Sequence, residues 1–208
     1  MKNLFFVVIM SLMMLQVQAQ VKKEIKLQPP NLERTATLMK AFKDRQSIRE
    51  YSDKDLSIAD LSDLLWSANG FNRPEKNLRT AASTANKQDI DIYVVTRDGA
   101  YLYDARNNVL SLLTEGDYRN DVANGQDFAA TAPISLVLVS DLSHFGENAH
   151  IWGAIDAGIV SANIYMFCAG ANLGTVTRGS ANSEKLRQIL KLTGDQRIFL
   201  SHPVGYLK

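Results

Sequence analysis

Residues 45–49 read Arg45-Gln46-Ser47-Ile48-Arg49 and follow an amphipathic stretch. Alternate side chains of an extended segment share a face, so Arg45, Ser47 and Arg49 are predicted to point the same way and converge on one ligand. A guanidinium presents a planar fork of donors that matches phosphate, which makes this run a candidate anion-binding segment. For the run taken alone, the commoner alternative is a solvated surface turn in which Arg49 pairs weakly with a neighbouring carboxylate.

The composition is that of an ordinary globular protein. The chain has 208 residues, of which 46% are hydrophobic and 22% charged, enough apolar material for one domain with its own core. Lysine and arginine together number 23, and aspartate and glutamate 22. This near balance argues against a nucleic-acid partner, which would need a concentrated basic surface.

The first 19 residues have the pattern of a secretory signal peptide. Lys2 precedes an apolar run over 4–15, and Val17-Gln18-Ala19 provides a cleavage site after Ala19. The apolar run is shorter than the roughly 20 residues that a spanning helix needs, which disfavours an uncleaved anchor. We therefore expect an exported, periplasmic protein with a signal peptide over 1–19, an arm over 20–31 and a single domain over 32–208.

Local patterns predict a mixture of helices and strands. Ser57, with Asp60 three residues on, has the spacing of a helix capping box, and Asp98-Gly99 marks a hairpin turn. The hairpin, and the lack of strict βαβ alternation, favour an α+β fold with a mostly antiparallel central sheet surrounded by helices. Helices are expected over 32–42, 57–69, 118–131, 150–173 and 183–191, a loop over 71–88, a short helix or turn around 110–113, and strands over 90–96, 100–103, 134–139 and 197–206.

The segment 150–173 is the longest helical candidate, and residues 157–174 carry no charge. A helix that is apolar nearly all round is buried on several sides. In a domain of this size, that predicts burial at a subunit interface as well as in the core. Ser161, Asn163 and Asn172 would make a poor lipid-facing surface, so no stable membrane span is expected.

The sequence offers few catalytic motifs. The three histidines lack the spacing of metal ligands, and Cys168 is the only cysteine, so neither a metal centre nor a thiol nucleophile is predicted. A nucleophile elbow, a Walker loop and a dinucleotide-binding glycine turn are all missing from the sequence. The remaining parts are an anion-binding segment, a polar loop and a buried helix that ends at a glycine, and these suit a phosphorylated organic cofactor.

Several motifs, in the same order, resemble the FMN-dependent nitroreductase family. Arg45-Gln46-Ser47-Ile48-Arg49-Glu50-Tyr51 is similar to that family's Arg-Arg-Ser-x-Arg-x-Phe/Tyr opening. Residues 79–88 are similar to its Pro-Ser-x-x-Asn-x-Gln motif, and residues 156–175 to its long interface helix with a Gly-Leu-Gly-Thr end. Pro203-Val204-Gly205-Tyr206 closes the match, which extends from about residue 33 to the last residues.

The resemblance implies an intertwined α+β homodimer with FMN at each of two subunit interfaces. Carried over by position, it places Arg45 and Gln46 near the FMN phosphate, Ser47 near the ribityl chain and Arg49 at the pyrimidine edge of the flavin. The other implied contacts are Ser83, Thr84 and Asn86 to the flavin of the partner subunit, Gln126 to the ring, the backbone of Leu173 and Gly174 near N5 and O4, and Lys208 near the phosphate. No catalytic side chain is implied, because the chemistry belongs to the cofactor.

The implied function is that of an FMN-dependent oxidoreductase. Electrons would pass from a reduced donor, NAD(P)H, through flavin N5 to a nitroaromatic, quinone or similar small-molecule acceptor. The alternative is an exported flavin-binding or interaction module without efficient turnover, because nicotinamide donors are scarce outside the cytoplasm. Gln46 replaces an arginine of the family pattern and Ala82 replaces a proline, so we expect a weaker hold on the phosphate and a looser loop before Ser83.

Overall fold

A seven-stranded antiparallel sheet forms the centre of the molecule. The computed structural model describes residues 20–179, 181 and 184–208, and the predicted signal peptide lies outside them. The strands are β1 (Glu24–Lys26), β2 (Phe71–Arg73), β3 (Leu78–Arg79), β4 (Ile90–Val95), β5 (Gly99–Asp104), β6 (Val109–Glu115), β7 (Ile134–Asp141), β8 (Leu173–Thr175) and β9 (Gln196–Tyr206). The sheet order is β1-β6-β5-β4-β7-β9-β8, whereas β2 and β3 pair separately. The predicted α+β fold with an antiparallel central sheet is confirmed.

Helices cover both faces of the sheet. They are α1 (Leu38–Asp44), α2 (Ile58–Asn69), α3 (Arg119–Ala123), α4 (Asp127–Ala130), α5 (Ala149–Gly170) and α6 (Glu184–Ile189). Side chains alternate along β4, so Ile92 packs in the core with α2 and α5, whereas Tyr93 packs in the opposite core with α3 and α6. The sheet is therefore buried on both sides.

The ends of α2 follow the predicted signals. Ser57 Oγ accepts a hydrogen bond from Asp60 N at 3.0 Å and donates one to Asp60 Oδ2 at 2.7 Å. Gly70 N donates to Trp66 O at 2.8 Å and closes the last turn. Capping of this kind stabilises a helix by about 1 kcal/mol.

The long apolar helix α5 packs against α1, α2 and the sheet. Among the described residues it is the one helix long and apolar enough to cross a membrane, with a mean hydropathy of 1.3. Its inner face, with Ala157, Val160 and Ile164, is buried in the core. Its outer face leaves Ile151 and Ile155 exposed by 56% and 46%. One face of the helix is therefore buried in the core, and the other leaves apolar side chains exposed on the single chain.

Five local predictions were wrong. Residues 110–113, expected as a helix or turn, lie within β6, and the arm over 20–31 contains the edge strand β1 paired with it. The helix expected over 32–42 begins only at Leu38, where Thr37 Oγ1 accepts a hydrogen bond from Lys40 N. The helix expected over 118–131 is divided into α3 and α4, because Asn124 adopts a left-handed φ of 46°. The predicted loop 71–88 contains the small hairpin of β2 and β3.

Candidate functional site

The 45–49 segment lies against β8, the edge strand of the sheet. Ile48 N donates to Thr175 O at 2.9 Å, and Tyr51 Oη donates to Ile48 O at 2.7 Å. A Cβ on Gly174 would come within 2.6 Å of Ile48 Cγ2, a distance that real Cβ atoms do not show. Gly174 is therefore required at this position because it lets the segment lie directly on the strand.

A first cavity of about 480 Å³ opens between α1, the 45–49 segment and the end of α5. Its apolar wall includes Ile48 and Leu173. Lys40 forms an ion pair with Asp44 one turn further along α1. The cavity carries an excess of positive charge, and its charged and amide side chains are Lys40, Lys43, Asp44, Arg45, Gln46 and Asn172.

A second cavity of about 430 Å³ is lined by Arg49, the residue that follows Ile48 of the first cavity. Its other lining residues are Gln126, Phe128 and the stretch 176–179. The Arg49 guanidinium carbon lies 5.8 Å from the centre of the Phe128 ring. Arg45 lines the first cavity and Arg49 the second, so the convergence of both on one ligand stays a prediction. A ligand that extends across both cavities would still meet both arginines.

Arg178 is a charged group at the second cavity that the sequence did not indicate. It is only 5% exposed, and its Nε donates to Gln126 Oε1 at 2.9 Å. Its terminal nitrogens donate to the carbonyl oxygens of Val122, at 3.0 Å, and Ala123. Burial lowers the pKa of Arg178, but a guanidinium stays charged at any pH compatible with folding. Arg178 therefore brings positive charge to the cavity and orients the carboxamide of Gln126.

The loop over 83–88 is fixed by a buried carboxylate of α5. The Thr84 backbone N and Oγ1 both donate to Asp156, at 2.8 Å and 2.9 Å. Ser83 Oγ accepts from Gln88 N at 2.9 Å. Ala85 has a φ of 50°, a left-handed conformation that costs a residue with a Cβ about 1 kcal/mol. The surrounding hydrogen bonds compensate for this strain and hold the loop in one shape.

A second buried carboxyl lies next to Asp156. Asp89 is 2% exposed and Asp156 1% exposed, and Ser140 Oγ donates to Asp89 Oδ2. The pKa of Asp89 is raised to about 6, first by burial and then by the nearby Asp156, whereas the Ser140 hydrogen bond opposes the shift. A proton on Asp89 removes the repulsion between two carboxyl groups that are buried beneath the 83–88 loop. Among the described residues, no three histidine, cysteine or acidic side chains are grouped as metal ligands.

The family model of the nitroreductase family matches residues 42–206. The chain belongs to the nitroreductase family. It is similar to a nitroreductase-like protein of Ralstonia eutropha, with 34% identity, 91% of each chain covered and a TM-score of 0.84. A nitroreductase-like protein of Methanocaldococcus jannaschii is 30% identical over 77% of this chain and 86% of its own length. An NADPH:FMN oxidoreductase of Vibrio harveyi, solved with NAD+, shares the fold at 17% identity, with 81% of this chain and 68% of that one covered and a TM-score of 0.61.

The residues that the nitroreductase resemblance singled out fall into three places. Arg45, Gln46 and the backbone of Leu173 border the first cavity, and Arg49 and Gln126 border the second. The third place is the 83–88 loop, where Thr84 turns inward to Asp156 and Asn86 is exposed. Ser47 and Lys208 are exposed outside the linings of both cavities. Gly174 lies beneath Ile48 and beside the first cavity, whereas residues 176–179 border the second.

Sequence reasoning missed three residues of these walls: Tyr165, Phe128 and Arg178. Tyr165 lies on α5 and its ring faces Arg45, and Phe128 lies beside both Arg49 and Arg178. Each is isolated in the sequence from the 45–49 segment, so no local pattern connects it to the site. The one available signal was the Arg178-Gly179 pair directly after a buried strand, which sequence analysis did not associate with a ligand.

Proposed function

We propose that the chain is an exported FMN-dependent oxidoreductase that transfers electrons from NAD(P)H to a nitroaromatic, quinone or similar acceptor. The observation that carries the proposal is a pair of cavities lined by successive residues of one segment, the first cationic and the second lined by Arg49 and Gln126. Membership of the nitroreductase family supports it. So does the name of the Vibrio harveyi neighbour, an NADPH:FMN oxidoreductase.

The donor groups of the two cavities fit the chemical parts of FMN. Lys43 and Arg45 line the first cavity and suit a phosphate, which binds best to charged donors. Arg49 and the carboxamide of Gln126 suit the carbonyl and nitrogen atoms at the polar edge of a flavin. Ser47 lies in the chain between these two regions, where a polyol chain would connect phosphate and ring.

Bound FMN would supply the redox chemistry by accepting a hydride and later returning the electrons to the acceptor. The residues of this chain would bind and orient it. Arg49, beside the buried cation of Arg178, would stabilise negative charge that develops at the polar edge of the reduced ring. Phe128 would keep water from one side of the second cavity. No side chain is assigned a proton-transfer step.

A homodimer would bring a second copy of these walls to the site. On α5, Ile151, Trp152 and Ile155 are exposed by 56%, 38% and 46%, and on α1 Met39 and Phe42 are exposed by 75% and 59%. Burying such side chains stabilises an interface by roughly 1.5–3 kcal/mol each before the cost of association. In that dimer the 83–88 loop would supply Ser83 and Asn86 to the flavin of the partner subunit.

The experiment is a titration of the purified protein with FMN, followed by quenching of flavin fluorescence. Arg49→Ala removes a charge-assisted contact of about 1.5–3 kcal/mol, so the Kd should rise by roughly 10- to 150-fold. Arg97→Ala is the matched control, because Arg97 is exposed and pairs with Asp55 away from both cavities. Equal Kd values for the Arg49 variant and the wild type would contradict the assignment of Arg49.

A further inference from the structure

One side chain of α5 contacts two of the three polar side chains at the start of the 45–49 segment. Tyr165, on α5, places its Oη 3.0 Å from Ser47 Oγ and its ring centre 5.4 Å from the Arg45 guanidinium carbon. We propose that Tyr165 is a positioning residue for FMN, which makes Ser47 a hydrogen-bond donor to the ligand and holds Arg45 in its binding orientation. The proposal rests on the proposed function and adds a residue that the motif comparison did not indicate.

A backbone N–H fixes one of the hydrogen bonds of the phenol. Thr177 N donates to Tyr165 Oη at 2.9 Å, so the phenol oxygen is an acceptor in that bond. Among the described residues, the other polar partner of this phenol is Ser47 Oγ, and either of these two oxygens can be the donor. In the proposed arrangement the phenol gives its proton to Ser47, and the hydroxyl proton of Ser47 points away from Tyr165. Ser47 is exposed, so a ligand that lies across the two cavities can accept this proton.

Tyr165 itself is anchored to the core through Thr177. Thr177 Oγ1 lies 2.6 Å from His202 Nε2, and Thr175 Oγ1 lies 3.1 Å from His202 Nδ1. His202 is completely buried, and burial lowers its pKa to about 3, so the imidazole is neutral at physiological pH. Ser161 Oγ also contacts Nε2, at 2.9 Å. These bonds fix the stretch 175–177, and with it the Thr177 N–H that sets the orientation of the phenol.

The ring of Tyr165 acts on Arg45 by a different interaction. An arginine on the surface samples many rotamers, and ordering it on ligand binding costs conformational entropy. A cation that already lies over an aromatic face has lost part of this freedom before the ligand binds. Arg45 is exposed apart from this contact, and it lines the first cavity. The phenol hydroxyl and the ring therefore act on two different ligand contacts, which can be separated by mutation.

The test is a set of double-mutant cycles read by FMN affinity in fluorescence titrations. Tyr165→Phe keeps the ring and removes the hydroxyl, so the Kd for FMN should rise about 3- to 10-fold. In a Ser47→Ala background, the same change should leave the Kd nearly unaltered. An equal loss in both backgrounds would show a general structural role and overturn the proposal, as would an unchanged Kd for Tyr165→Phe.

Tyr206→Phe is the matched control. The Tyr206 phenol also accepts a backbone N–H, from Ser57 at 3.1 Å, and donates onward, to Asp60 at 2.6 Å, and Lys54 lies over its ring. It lies outside the linings of both cavities, so the variant should keep the wild-type Kd. A loss equal to that of Tyr165→Phe would overturn the proposal.

Two further variants test the proposal without altering Tyr165, in case the phenylalanine variant does not fold. Ser47→Cys keeps the shape of the side chain but donates poorly, and it should weaken FMN binding about as much as Ser47→Ala. Arg45→Lys keeps the charge but loses the planar group over the ring, and it should also weaken binding. Wild-type affinity in both variants would overturn the inference. Failure of the wild-type protein to bind FMN would instead overturn the proposed function.

Discussion

A substitution at Gly174 tests whether the 45–49 segment is seated on β8 as described. The Cβ of alanine at this position would lie 2.6 Å from Ile48 Cγ2 and 3.1 Å from Ile48 Cβ. The strand cannot give way easily, because β8 pairs with β9 and Gly174 itself lies opposite Gly205. The 45–49 segment must therefore move outward, and the hydrogen bond from Ile48 N to Thr175 O would lengthen.

The size of the effect follows from the cost of overpacking. Such a clash lowers the free energy of unfolding by about 1–3 kcal/mol. Ile48→Ala removes the Cγ2 atom that makes the closest contact and leaves the contacts of 3.1 Å to Cβ and 3.3 Å to Leu207 Cδ2. The double variant should therefore be more stable than the sum of the two single effects predicts, by about 1 kcal/mol or more.

Urea denaturation followed by circular dichroism measures these free energies. Gly146→Ala is the control, because a Cβ there would meet nothing within 4 Å, and its effect should stay within about 0.5 kcal/mol. An unchanged urea midpoint for Gly174→Ala would refute the close contact. Strict additivity of the Gly174 and Ile48 variants would refute the assignment of the clash to that pair.

The other predictions concern pH and assembly. Between pH 3.8 and about 6 the folded chain holds a proton on Asp89 that the unfolded chain has lost. The free energy of unfolding of the wild type, relative to that of Asp89→Asn, should therefore fall by about 3 kcal/mol as pH rises through that range. A constant difference between the two proteins in urea titrations would contradict this. Burial lowers the pKa of His202 to about 3. The free energy of unfolding should therefore fall by about 1.4 kcal/mol for each pH unit below about 6.5, and His202→Gln should remove this pH dependence. Parallel plots of unfolding free energy against pH for the two proteins would contradict the prediction. In sedimentation, Ile155→Glu should convert a wild-type dimer to monomers while the exposed Thr193→Glu does not, and identical behaviour of the two variants would contradict the α5 interface.

Local sequence signals predicted those elements that are determined by short-range chemistry. Ser57 and Asp60 fix the start of α2 through their own hydrogen bonds. Asp98-Gly99 gives the turn between β4 and β5. The uncharged stretch of α5 predicted a helix buried on several sides, and its inner face is indeed in the core. In the first two cases, the interacting residues lie within a few positions of one another.

Elements that depend on distant partners were less predictable. β1 has only three residues, and it exists because its backbone pairs with β6. The apolar residues of α1 suggested a longer helix with a buried side, whereas Met39 is 75% exposed and only Ala41 of this helix is buried. The apolar residues of α1 therefore form a largely exposed surface of the single chain.

The candidate site also combines residues that are neighbours in the sequence with residues from distant parts of the chain. The sequence identified Arg45, Ser47 and Arg49 as a group because they are neighbours, but it could not show that Arg45 and Arg49 line two different cavities. The side chains that orient them come from distant parts of the chain. Tyr165 contacts Ser47 across 118 positions, and Arg178 contacts Gln126 across 52. Only the folded sheet brings these residues together.

The absorbance spectrum of the purified protein, with FMN added and excess removed, tests the central claim most directly. We predict the bands of oxidised flavin at about one FMN per chain, anaerobic bleaching by NADH or NADPH, and return of the colour when a nitroaromatic or quinone is added. A bound flavin that neither nicotinamide reduces would favour a binding module without turnover. A protein that stays colourless and takes up no FMN would contradict the account.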